Sequence, residues 1–315
     1  MIKIHQIEPL NIDKELQDYY KNVATRNDFI LKVWDNRPTE KADIIARCKD
    51  ADVVIVSNIP FGKEILDALP NLKMISVAFA GIDHIDMEEC NKRNIIVKNA
   101  AGYSTHSVAE LTIGMIISLL RDIIPNASRT LQGEGRNNYT GVELHKKTVG
   151  IIGMGKIGQE VARLCNAFGC NVIACSRTIK KIPNVQFQTL PQVLENSDVV
   201  TVHVPLNKET NGLIGQQELS YMKPTAFLIN TARGPVIDTV ALYAALQNET
   251  IAGAALDVYD YEPPLKSDFI LLKAQNILML PHIAYATFEA FELRAKIVFE
   301  NIFVWKENQE KTSFV

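Results

Sequence analysis

Residues 148–158 run Thr-Val-Gly-Ile-Ile-Gly-Met-Gly-Lys-Ile-Gly and lead into an amphipathic stretch, 159–168. An apolar strand, a G-x-G-x-x-G turn and a helix in that order constrain the fold strongly, because this unit belongs to parallel sheets that take a dinucleotide at the turn. Gly153 permits the tight turn, and Gly158 allows helix and strand to approach closely. Gly155 lets backbone amides of the turn, Met154, Lys156 and Ile157 among them, approach a pyrophosphate at the helix N-terminus.

The rest of the chain fits that architecture. Short apolar runs alternate with helix-length amphipathic stretches from end to end, as in parallel sheets covered by crossover helices. Segments 53–56, 74–77 and 95–97 read as buried strands, and 62–69 as one of the intervening helices. A second set of strands is expected at 148–152, 171–174, 199–202, 226–230, 251–256 and 277–280, six in all, the number in a complete dinucleotide-binding sheet. Between the sets, 107–121 is apolar at Val108, Leu111, Ile113, Ile116, Ile117 and Leu120, too hydrophobic around its circumference for a surface helix. It reads as a buried helix joining two domains, the number that 315 residues suggest. A last helix, 287–305, follows the sixth strand and can return to the first domain, which is then discontinuous. The expected fold class is α/β, with two Rossmann-like, doubly wound parallel-sheet domains.

Composition narrows the partners. Thirty-six acidic against 33 basic side chains, a net charge of −3, leave no electrostatic footprint for nucleic acid or an anionic membrane. The longest apolar run, 111–120, is half of what a bilayer span needs, and the N-terminus shows no secretory signal. The cytoplasm is the expected location. Cys48, Cys90, Cys165, Cys170 and Cys175 are odd in number and lack a Cys-x-x-Cys, which favours reduced thiols over a disulfide frame or a metal site.

Several residues carry chemistry. At the end of the second cofactor strand, the place that usually offers an acidic residue to the ribose hydroxyls holds Ser176, followed by Arg177, Thr178, Lys180 and Lys181. A carboxylate there repels a 2'-phosphate, whereas a hydroxyl and a guanidinium can bind one, so NADP(H) is expected to be preferred over NAD(H). Arg233 follows the fourth strand, where its fork can pair with a substrate carboxylate. Asp257, Glu262 and His282 come later, and a His with a nearby carboxylate is a proton-transfer pair.

Taken together these residues resemble the D-isomer-specific 2-hydroxyacid dehydrogenase family. The resemblance rests on Ala80-Gly-Ile-Asp-His-Ile-Asp86, Ser107-Val-Ala-Glu110, the glycine motif, Val202-His-Val-Pro-Leu206, Asn230-Thr-Ala-Arg-Gly234, the segment from Asp257 through Glu262-Pro263, and Pro281-His-Ile-Ala284. It implies a substrate-binding domain of residues 1–100 and 284–315 and a dinucleotide-binding domain of 101–283. It makes Arg233 the substrate-orienting arginine, Glu262 its acidic partner and His282 the acid/base. It places Asp257 near the nicotinamide carboxamide, His203, Pro205, Thr231 and Ala232 at the cofactor, and Phe79, Ala80 and Gly81 in the loop whose amides contact the substrate carboxylate.

The implied reaction is hydride transfer between NADP(H) and a small 2-oxo or D-2-hydroxy acid of the glyoxylate or hydroxypyruvate class. The chain has Val56-Ser-Asn-Ile-Pro60 where phosphoglycerate-specific relatives carry an Arg-Ser-x-Thr-like segment, and it ends soon after the return helix. The competing readings are a phosphoglycerate dehydrogenase-like enzyme and a nucleotide-sensing corepressor-type module of the same fold. A homodimer through residues 107–144 is also implied.

Overall fold

Strand and helix alternate from the first residues onward in the computed structural model, which describes residues 1–136, 138–179, 181–261 and 264–312. The first stretch holds β1 (Ile2–Gln6), α1 (Lys14–Arg26), β2 (Phe29–Val33), α2 (Lys41–Cys48), β3 (Val53–Val56), α3 (Lys63–Asp67), β4 (Met74–Val77), α4 (Met87–Lys92) and β5 (Ile96–Asn99). Each helix carries the chain back across the sheet, so all pairings are parallel, in the order β2-β1-β3-β4-β5. Every residue of β3 and β4 is buried, which is why these strands read as continuous apolar runs.

The second stretch holds α5 (Thr105–Arg121), α6 (Ile123–Leu131), β6 (Thr148–Ile152), α7 (Lys156–Ala167), β7 (Asn171–Cys175), β8 (Val185–Phe187), α8 (Leu190–Asn196), β9 (Val199–Val202), α9 (Gln216–Tyr221), β10 (Phe227–Asn230), α10 (Thr239–Gln247), β11 (Gly253–Leu256) and β12 (Ile277–Met279). Its sheet runs β12-β11-β10-β9-β6-β7-β8, all parallel, so among the described residues it has seven strands rather than the six expected. The strand absent from that expectation is β8. It is three residues long, lies at the sheet edge and alternates apolar with polar, so it offers no apolar run to find.

Two compact units result, Thr105–Tyr285 and, as the other, Met1–Ser104 with the chain from Ala286 onward. In the second unit α5 and α7 cover one face, where Met115, Ile116, Ile151, Val161 and Ala162 are buried together, while α8, α9 and α10 cover the other through Leu194, Leu219 and Leu242. α5 stops at Arg121 because Asp122 adopts a positive φ of 47°, and α6 starts there. No residue of α6 is buried. In the first unit the last helix, α11 (Phe288–Thr312), completes the core. Val298, Phe299 and Ile302 are fully buried, the Ser76 hydroxyl donates to the Val298 carbonyl at 3.0 Å, and Phe299 stacks on Tyr20 with 4.2 Å between ring centres. Among the described residues no helix is long and apolar enough to cross a membrane.

Candidate active site

β6 lies between β7 and β9, so the chain leaves β6 toward one side of the sheet and later returns on the other. That reversal opens a crevice at the carboxyl ends of the strands, where ligands of such sheets bind. The glycine turn sits there. Gly153 has φ +100°, its amide donates to the Cys175 carbonyl at 2.8 Å, and a Cβ on it would lie 2.5 Å from the His203 carbonyl oxygen. A Cβ at Gly158 would lie 2.0 Å from the Gly153 carbonyl oxygen, so only glycine lets α7 rest on the turn. A Cβ at Gly155, the N-cap of α7, meets nothing within 4 Å. Space over Gly155, beside helical amides that have no intrahelical acceptor, fits a pyrophosphate.

Ser176 follows β7 directly and is half-buried. Arg177 and Thr178 are exposed, and the Arg177 guanidinium pairs with Glu209 at 3.4 Å. Lys180 lies outside the described residues. After β9, the ring of His203 is enclosed by protein although the residue keeps some exposure, and that desolvation pushes its pKa down to about 3. It is neutral at physiological pH, with Nε2 2.9 Å from the Thr201 hydroxyl. Pro205, two residues on, is exposed.

Three strand ends side by side carry the remaining candidates. After β10, the Thr231 hydroxyl lies 3.2 Å from that of Thr112. Thr112 already donates to the Val108 carbonyl at 2.7 Å, so Thr231 is the donor to Thr112. Asn230 is buried and brackets Ala232 and Arg233: its side-chain oxygen accepts the Ala232 amide and its nitrogen donates to the Arg233 carbonyl, both at 2.9 Å. Arg233 itself is extended, with one guanidinium nitrogen donating to the Ala232 carbonyl at 2.7 Å. A Cβ at Gly234 would fall 1.9 Å from the Tyr259 carbonyl carbon, so the loops after β10 and β11 pass in backbone contact.

After β11, Asp257 is fully buried, and its two oxygens accept the amides of Ile283 and Ala284, each at 2.8 Å. Those amides follow His282, which stands beyond β12 with a positive φ of 56° and its ring edge-on to Tyr285 at 5.2 Å. The Tyr259 hydroxyl donates to the Leu280 carbonyl at 2.8 Å and holds the loop from its other end. Glu262 lies outside the described residues. Sequence reasoning singled out Asp257 and His282 but not the contact between them, and it passed over the bracket made by Asn230. An Asn two residues before an amide it can cap is a recognisable turn signal, and it was there to be used.

In the other unit, Phe79, Ala80 and Gly81 follow β4. The Phe79 carbonyl accepts the Ala100 amide at 3.0 Å, the Ala80 carbonyl accepts the Asn99 side chain at 2.6 Å, and Phe79 is buried against Tyr103. The loop after β3 leaves beside it, because the Ala78 amide donates to the Val56 carbonyl at 2.7 Å. Arg37 reaches that second loop from elsewhere in the chain: it donates to the Asn58 side-chain oxygen at 2.6 Å and pairs with buried Glu8 at 3.3 Å, while another Glu8 oxygen accepts the Ser57 amide at 2.6 Å. Burial pushes the Glu8 carboxyl up, against the pull of Arg37 and the Ser57 amide. Among the described residues no group of three or more His, Cys, Asp or Glu side chains could hold a metal ion.

Residues 113–284 match the family described as D-isomer specific 2-hydroxyacid dehydrogenase, NAD binding domain. A glyoxylate reductase of Thermofilum pendens is 41% identical over 288 residues, covering 87% of this chain and 84% of that protein. Among solved structures, an acyclic imino acid reductase in complex with NADPH and D-Arg is 29% identical with a TM-score of 0.89, covering 98% of each chain. An NADPH-dependent glyoxylate/hydroxypyruvate reductase from Sinorhizobium meliloti, in complex with NADP and malonate, is 28% identical with a TM-score of 0.83, covering 96% of this chain and 93% of that one.

The second and third glycines of the turn should separate fold from ligand. Gly155→Ala has room and an ordinary φ, so it should leave the melting temperature nearly unchanged while weakening nucleotide binding, read by fluorescence titration. Gly158→Ala should lower both, with a stability loss of roughly 1–3 kcal/mol from the backbone overlap.

Proposed function

We propose that this chain, which belongs to the D-isomer-specific 2-hydroxyacid dehydrogenase family, reduces small 2-oxo acids of the glyoxylate and hydroxypyruvate class, preferring NADP(H) over NAD(H). The observation that carries the reading is the arrangement of Arg233 and His282. Both stand at the carboxyl edge of the sheet that also carries the glycine turn, on loops fixed by buried polar side chains. The glyoxylate reductase of Thermofilum pendens and the Sinorhizobium meliloti glyoxylate/hydroxypyruvate reductase support the substrate class.

In this reading residues 101–283 form the dinucleotide domain, and 1–100 with 284–315 form the substrate domain. The turn from Gly153 to Gly158 receives the pyrophosphate, with Met154, Lys156 and Ile157 lending amides, while His203, Pro205, Thr231, Ala232 and Asp257 line the rest of the cofactor. A reduced nicotinamide held by these residues would supply the hydride. Arg233 binds the substrate carboxylate and stabilises the negative charge that grows on the carbonyl oxygen. His282 gives that oxygen its proton, and takes it back in the reverse direction, with Glu262 as its carboxylate partner. Phe79, Ala80 and Gly81 offer backbone amides to the substrate carboxylate. A phosphoglycerate-type substrate is the second reading: Arg37 brings a guanidinium to Asn58, in the segment where such relatives carry an arginine, although Glu8 already engages it. The compartment proposed is the cytoplasm, in keeping with five cysteines that all stand as free thiols.

Steady-state rates on glyoxylate, hydroxypyruvate and 3-phosphohydroxypyruvate test the reading, and a chain that reduces none of them is not this enzyme. His282→Ala should lower turnover by about 10²- to 10⁴-fold with cofactor binding intact, and Arg233→Ala should harm both KM and kcat. Near-normal turnover in His282→Ala would remove that residue from the mechanism.

The NADP(H) preference rests on Ser176 and Arg177. Each charge-assisted bond to the 2'-phosphate is worth roughly 1.5–3 kcal/mol, or about one to two powers of ten in affinity. Ser176→Asp with Arg177→Ala should reverse the preference. Equal rates with NADH and NADPH in the parent protein would show that Arg177 serves only Glu209.

A homodimer is proposed through residues 107–144. α6 buries none of its residues, and Ile123, Ile124 and Leu131 are 44%, 57% and 89% exposed on it. Sedimentation at micromolar concentration should give twice the chain mass, and Ile124→Glu with Leu131→Glu should halve it.

A further inference from the structure

Asn230 and Asp257 are buried at the ends of adjacent strands, and each grips the backbone around one of the two residues proposed to react. Asn230 holds the Ala232 amide, one residue before Arg233, and the Arg233 carbonyl. Asp257 holds the two amides that follow His282, one on each carboxylate oxygen. The brackets are joined, because the Asp257 amide donates to the Asn230 carbonyl at 2.9 Å. A third contact tightens the join: the backbone of Gly234 rests on that of Tyr259 with no room for a Cβ. His282 meanwhile holds a left-handed φ of 56°, which a non-glycine residue keeps only where its surroundings over-determine it. The Asp257 carboxylate is the group placed to do so, since it fixes the two consecutive peptide units that follow His282.

We infer that Asn230 and Asp257 are positioning residues, a linked pair of polar brackets that sets Arg233 and His282 in the relative geometry the reaction needs. The inference rests on Arg233 and His282 being the reacting pair. It gives Asp257 a task beyond lining the cofactor, and it gives Asn230 a task where the family resemblance assigned none. A preorganised pair of this kind needs its supporting bonds intact, because small displacements of an acid and a charge clamp cost turnover far more than they cost binding.

Two near-isosteric variants test it. In Asp257→Asn the side-chain nitrogen faces a backbone N–H, so one of the two bonds to Ile283 and Ala284 is lost. Amide hydrogen exchange at these two residues should quicken by about tenfold or more. Turnover at saturating substrate and cofactor should fall by about 10- to 100-fold while the cofactor Kd moves by less than about threefold. Imidazole added at 100 mM should restore part of the lost turnover, because a free general acid can replace a displaced ring, whereas no such rescue is expected from a general loss of structure. Asn230→Asp keeps the Ala232 bond but sets a carboxylate against the Arg233 carbonyl, and should raise KM for the 2-oxo acid together with a loss in kcat. If Asp257→Asn does not fold, Asp257→Glu, which keeps both acceptors, should retain slow exchange and measurable, imidazole-responsive turnover, and Asn230→Asp tests the other bracket.

Unchanged exchange at Ile283 and Ala284, or turnover within about twofold of the parent, would overturn the role of Asp257. A weakened cofactor Kd with kcat preserved would also overturn it, by making Asp257 a cofactor contact alone. Turnover lost without imidazole rescue in a folded variant would do the same. A parent protein that reduces no 2-oxo acid would instead defeat the proposed function, while the exchange measurement still reports whether Asp257 holds this loop.

Discussion

Every strand pairing among the described residues is parallel, and most of what this chain can do follows from that. Parallel strands need crossovers, the crossovers bury both faces, and side chains within the strands are thereby spent on packing. What is left for chemistry is the carboxyl edge, where each strand releases a loop. The candidate residues respect this limit. Ser176, His203, Arg233, Asp257 and His282 each stand within a few residues of the end of β7, β9, β10, β11 or β12, and Phe79 stands in the same relation to β4.

Loops at such an edge have no ladder to hold them, so their precision must come from elsewhere. At β6 it comes from sterics: Gly153 and Gly158 let the turn and α7 close to a distance no side chain would allow. At β10 and β11 it comes from buried polar side chains that hydrogen-bond to backbone. Such groups are costly to bury unless satisfied, and here each engages two backbone partners, Asn230 in its own loop and Asp257 in the loop after β12. The two solutions suit different tasks. A glycine turn leaves open space for a ligand to approach, whereas a bracketed loop holds a side chain at a fixed place.

The sequence made the strands legible because burial on both faces turns β3, β4, β6 and β9 into apolar runs, and the family motifs marked the loops that follow them. It was less informative wherever structure depends on a partner remote in the chain. β8 is an edge strand too short to show a pattern, and α6 begins at a positive φ of Asp122, just past the helix expected at 107–121. The positive φ of His282 could not be read, since nothing local to Pro281 and Ile283 demands it. It becomes intelligible only with Asp257, a residue of another strand end.

Arg37 shows how the same limit affects substrate reading. From the sequence, the segment after β3 lacks an arginine, which reads as a preference against phosphorylated substrates. In the folded unit a guanidinium does reach that segment, from the loop between β2 and α2, and donates to Asn58. It is not an unopposed charge, however, because Glu8 lies buried behind it and takes up both Arg37 and the Ser57 amide. Burial raises the Glu8 carboxyl while the Arg37 cation and the Ser57 amide oppose the rise, so the state of Glu8 and the pull of Arg37 on an anion are tied together. A guanidinium compensated in this way does not offer the concentrated positive charge that a phosphate ester requires. What the sequence leaves out is therefore the compensation: an arginine does come near the segment after β3, and a buried carboxylate takes up its charge.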